Sequence, residues 1–88
     1  MSFLGQNQAK LSNWQFIEMW IDPSSDLPYV VMLVGDADGS HKIYDPTEGY
    51  KIIYAEQDYE KVKDFLLEDE YVQVGSRYQE IEHNSLVA

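Results

Sequence analysis

The chain predicts an α+β domain: a small antiparallel sheet of about four or five strands with one amphipathic helix packed on one face, in the order β-β-β-β-α-β. Two observations predict it. Four short runs rich in β-branched and aromatic residues come first, each broken by turn formers. From Asp58 the apolar residues fall at helical spacing, and a last alternating run follows.

The first run, Trp14 to Ile21 (WQFIEMWI), is stopped by Asp22-Pro23-Ser24-Ser25-Asp26 and reads as a strand. A short helix capped by Ser12 with Gln15 at capping-box spacing is the alternative, weakened because Trp, Phe and Ile are poor helix formers. Alternation puts Trp14, Phe16 and Trp20 on one face and Ile17, Met19 and Ile21 on the other. Tyr29 to Val34 is apolar on both alternating faces and suits the centre of the sheet. His41 to Asp45 and Tyr50 to Ala55 complete a meander. Asp58 is placed to cap a helix carrying Tyr59, Val62, Phe65 and Leu66 inward, which runs to about Glu68. Glu68-Asp69-Glu70 then sits against the negative end of the helix dipole. Tyr71 to Val74 alternates as a final strand closed by Gly75.

With 88 residues there is room for one domain, read here as 13–78, between a flexible arm at 1–12 and a weakly ordered tail at 79–88. The absence of cysteine removes disulfides and thiolate metal sites and points to the cytoplasm. The N-terminus lacks the basic and apolar regions of a secretory signal. The longest apolar run, Tyr29 to Val34, is far shorter than the ~20 residues that cross a bilayer, so no membrane is expected. With aromatics at 14% and apolar residues at 44% the chain folds rather than staying disordered.

The segment VGDADGSH, residues 34–41, asks whether a calcium loop begins there. Setting Gly39 at the invariant glycine place puts Val34 where the first carboxylate belongs, and strands rather than helices flank the loop. Asp38-Gly39 between two apolar runs reads instead as a two-residue hairpin turn with both central residues at positive φ.

No catalytic, cofactor or metal residues are assigned. His41 and His83 lie far apart in sequence, and His41 and Asp45 stand about 13 Å apart on one strand, too far for one ion. There is no cysteine nucleophile and no glycine-rich phosphate loop. A net charge of −10 repels nucleic acid and favours basic surfaces. Mimicry of nucleic acid would need Asp36, Asp38, Asp64, Glu68, Asp69 and Glu70 to line up.

One helix covers one sheet face, so the surplus of Trp and Tyr implies an uncovered face, another chain, or the N-terminal arm or the tail laid over that face. The expected function is therefore a non-catalytic acidic module that recognises a basic protein surface, in an adaptor, inhibitor or immunity-type role. Its expected contact residues are Trp14, Trp20 and Tyr44, rimmed by Asp36, Asp38, Glu68, Asp69 and Glu70. The alternatives are a homodimer that buries the same face, and a small-ligand or enzymatic site assembled only in three dimensions.

Overall fold

A computed structural model describes residues 13–80. The arm expected at 1–12 lies outside them, as does the tail expected at 79–88 except for its first two residues. Five strands, β1 (Trp14–Asp22), β2 (Tyr29–Asp36), β3 (His41–Asp45), β4 (Lys51–Glu56) and β5 (Val72–Gln79), form one sheet in the order β4-β3-β2-β1-β5. All pairings are antiparallel. Helix α1 (Tyr59–Glu68) connects the two edge strands across one face, so the α+β fold and its element order stand as expected.

Residues opposed in register share a face. Glu18 faces Leu33, Trp20 faces Val31, Leu33 faces Ile43 and Ile43 faces Tyr54. Together with Val62 and Leu66 of α1, the residues Trp20, Val31, Leu33 and Ile43 make the buried core. Phe65 stacks on Tyr54 with centroids 4.3 Å apart and planes 3° from parallel, which seats the middle of α1 over β4.

Asp58 caps α1 as expected, its carboxylate accepting from the Glu60 N–H at 3.0 Å. At the other end Tyr71 N–H donates to Leu66 C=O and Glu70 N–H to Leu67 C=O, both at 3.0 Å. This is a Schellman closure, and it puts Glu70 at φ 65, where glycine is the preferred residue. An acidic side chain there is unfavourable twice, through its Cβ and through the helix dipole. Glu70→Gly is expected to raise stability by about 1 kcal/mol, read as a higher urea midpoint with unchanged slope, after allowing for glycine's greater unfolded-state entropy.

Three local expectations are corrected. The β2–β3 turn is a hairpin loop, but only Gly39 has positive φ, at 91°. Gly39 N–H bonds to Asp36 C=O and Asp36 N–H to Ser40 C=O, so three residues, Ala37 to Gly39, bridge the strands and Asp38 needs no strained backbone. Gly75 does not end the last strand. It takes φ 65 inside an irregularity of β5 where the register jumps from Met19↔Val74 to Ile17↔Tyr78, and the strand continues to Gln79. The third correction concerns β1, where a bulge between Trp14 and Phe16 breaks the alternation. Trp14 consequently faces away from α1, while Phe16 and Trp20 face toward it.

Candidate functional site

No described helix or strand lies over the face opposite α1, although Val34 within it is only 6% exposed. On it lie Ile17, Met19 and Ile21 of β1, Val30, Met32 and Val34 of β2, Lys42 and Tyr44 of β3, Ile52 of β4, and Val72, Val74 and Tyr78 of β5. Val72 and Val74 are each 48% exposed. Within this face a concavity of about 850 Å³ is lined by Trp14, Ile17, Met32, Val34, Tyr44 and Tyr50, and edged by Asp36, Asp38 and Lys42.

Each wall has a local cause. The β1 bulge delivers Trp14 to this face opposite Asp36, and its indole lies 5.9 Å from the Tyr78 ring. Tyr44 stands opposite Met32 and Ile52. Tyr50 arrives through the turn after β3. There Asp45 accepts from Thr47 N–H at 3.0 Å, Gly49 takes φ 72, and Tyr50 N–H returns to Asp45 C=O at 2.8 Å.

That return leaves Tyr50 itself at φ 64, a conformation that bulky residues rarely adopt, with its side chain 58% exposed. Such strain costs on the order of 1–3 kcal/mol and gathers at functional positions. Tyr50→Asn is expected to stabilise the fold by about 0.5–1 kcal/mol, because asparagine tolerates this backbone region, while Tyr50→Phe leaves the urea midpoint unchanged.

The polar rim is partly neutralised. Lys42 Nζ pairs with Asp36 Oδ2 at 2.7 Å, and that hydrogen bond raises the Lys42 pKa above its ordinary value. Asp38 accepts from the Ser40 N–H at 2.9 Å and from the Ser40 hydroxyl at 2.7 Å, which hold its carboxyl below its ordinary pKa. Two carboxylates against one ammonium leave this end of the face anionic.

Of the expected contact residues, Trp14, Tyr44, Asp36 and Asp38 therefore meet at one concavity. Trp20 is corrected: it is 2% exposed beneath α1, where its indole N–H donates to Glu18 at 2.9 Å. Glu68, Asp69 and Glu70 do not border the concavity. They end α1, which runs directly into Val72, opposite Ile21 at the end of β1 remote from Trp14.

Sequence reasoning passed over a second constellation, on the α1 side. Glu18 is 1% exposed, and its carboxylate accepts from Trp20, from the Tyr59 hydroxyl at 2.8 Å, and from Arg77 Nη2 at 2.7 Å and Nε at 3.0 Å. The Arg77 guanidinium also lies 3.6 Å over the Phe16 ring. Burial opposes the Arg77 charge, but hydrogen bonds to Glu18 and Tyr59 outweigh it and raise its pKa. Burial and the bond to Glu18 raise the Tyr59 pKa as well. Both carboxylate oxygens of Glu18 are engaged, so the cluster ties β5 and α1 to β1 rather than offering a reactive group. The signal in sequence was a lone acid on the same face as Phe16 and Trp20.

Among the described residues no group of three or more His, Asp or Glu side chains comes together as a metal site, and no helix is long and apolar enough to cross a membrane. No family model, no curated protein and no solved structure matches the chain.

Proposed function

We propose that the chain is a non-catalytic binding module that meets a basic protein surface through the helix-free face of its sheet. The observation that carries this reading is the aromatic-walled concavity formed by Trp14, Tyr44 and Tyr50 on an apolar face over which no described helix or strand lies. Rings of this kind are the commonest anchors of protein interfaces. The net charge of −10 would speed encounter with a cationic partner and suppress wrong ones. Adaptor, inhibitor and immunity-type roles share this physics, and the cysteine-free composition supports a cytoplasmic setting.

A homodimer that buries the same face is the second reading, favoured by the size of the patch. Five strands at ~4.8 Å spacing and about 25 Å of length present on the order of 600 Å² per copy, and so about 1,200 Å² in a pair. Its charge is unfavourable, because two copies bring −10 each to one contact.

Capture of partners on the immobilised chain, compared with a Trp14→Ala/Tyr44→Ala variant, tests the first reading. The expected result is a basic protein lost in the variant, with an association rate that falls several-fold as salt rises from about 50 to 300 mM. Sedimentation as a stable dimer at micromolar concentration, with Trp14 shielded from solvent quenchers, would overturn it in favour of the second.

A further inference from the structure

We infer that the element received on this face is a basic amphipathic helix presented by the partner, which completes a third layer opposite α1. This inference rests on the binding reading above and specifies its ligand.

The first ground is what the edges of the sheet exclude. Both edge strands are irregular: β4 shifts register between Ile43 and Tyr44 of its neighbour, and β5 between Ile17 and Met19. Bulged edges are poor templates for an added strand. A ligand that docks on the face instead has to arrive with its own backbone hydrogen bonds made, and a helix does so within a single segment.

The second ground is shape. The lining runs obliquely from Trp14 at the start of β1, past Ile17, Met32 and Tyr44, to Tyr50 before β4. Strand spacing and rise make that diagonal about 20 Å, the length of roughly 14 helical residues. The sheet already accepts one helix on its other face through Val62 and Leu66. A sheet apolar on both sides is most completely buried between two layers.

The third ground is charge. Asp36 and Asp38 outnumber Lys42 at one end of the diagonal, in a chain of net charge −10. A helix with Leu, Ile, Met or Phe at i, i+3, i+4 and i+7 and with Lys or Arg toward that end complements both the wall and the rim. A second copy of this chain does not, since the outward face of its own helix is net acidic, with Glu60, Asp64 and Glu68 exposed against Lys61.

The test selects binders to the full chain from a displayed library of random 18-residue peptides. Each enriched peptide is then measured against Trp14→Ala and Tyr44→Ala variants whose circular dichroism matches the parent. The expected result is helical apolar spacing with Lys or Arg, at least tenfold weaker binding to each variant, and a gain of helical circular dichroism in the bound peptide. Enriched peptides that alternate apolar and polar residues, or stay non-helical when bound yet still lose affinity on Trp14→Ala, overturn the helix and keep the binding face. Enriched peptides indifferent to both substitutions, or no enrichment at all, overturn the helix and the binding face together.

Discussion

Arg77→Ala is expected to lower stability by about 3–5 kcal/mol, the cost of leaving a buried carboxylate without its counter-charge. Glu18 is 1% exposed while the Arg77 side chain is 31% exposed, so water entering the vacated space holds the loss toward the lower end of that range. The bonds from Trp20 and Tyr59 stay but carry no full positive charge. A domain of this size holds roughly 4–13 kcal/mol in all, so the variant should unfold at a much lower urea midpoint. Removing both charges together, as Glu18→Met with Arg77→Met, is expected to recover much of the loss, short of the parent because the Trp20 and Tyr59 donors lose their acceptor. A midpoint for Arg77→Ala equivalent to less than about 1 kcal/mol of loss would place the pair among ordinary solvent-screened surface bridges.

Gly35→Ala is the second large effect, expected at about 1–3 kcal/mol from overpacking. A Cβ there would fall 2.2 Å from Phe16 Cε2 and 2.5 Å from Cζ. The ring cannot simply rotate away. It lies under the Arg77 guanidinium at 3.6 Å and meets Tyr59 edge-on at 6.1 Å. Thermal unfolding of Gly35→Ala should therefore show a clear loss, and Phe16→Leu added to it should give back part of that loss by making room. If Gly35→Ala alone unfolds at the parent temperature, Phe16 is freer than its packing indicates.

Both predictions concern residues that the sequence alone conceals, and the reasons are physical. Periodicity revealed Val31 and Leu33 against Val30 and Met32, because a regular strand keeps its alternation, and Asp58 announced α1 because a cap is a local bond. A bulge, by contrast, leaves no periodic trace. Trp14 and Trp20 read as neighbours on one face, yet one extra residue at Gln15 sends Trp14 to the open side and leaves Trp20 under the helix. Glu18 was hidden among sixteen acidic residues, since its partner Arg77 lies 59 positions away and only the β1–β5 pairing brings the two together. Tyr50 was counted as strand because Gly49 and the Asp45 cap act through a turn that composition does not describe.

The pairing of the first strand with the last has a kinetic corollary. The hairpins from β1 to β4 close short loops, whereas β5 returns to β1 across most of the chain, a contact whose loop entropy is met late. Substitutions at Arg77 should then act chiefly on the rate of opening, steepening escape from the native basin while leaving the refolding rate of the four-stranded meander almost untouched.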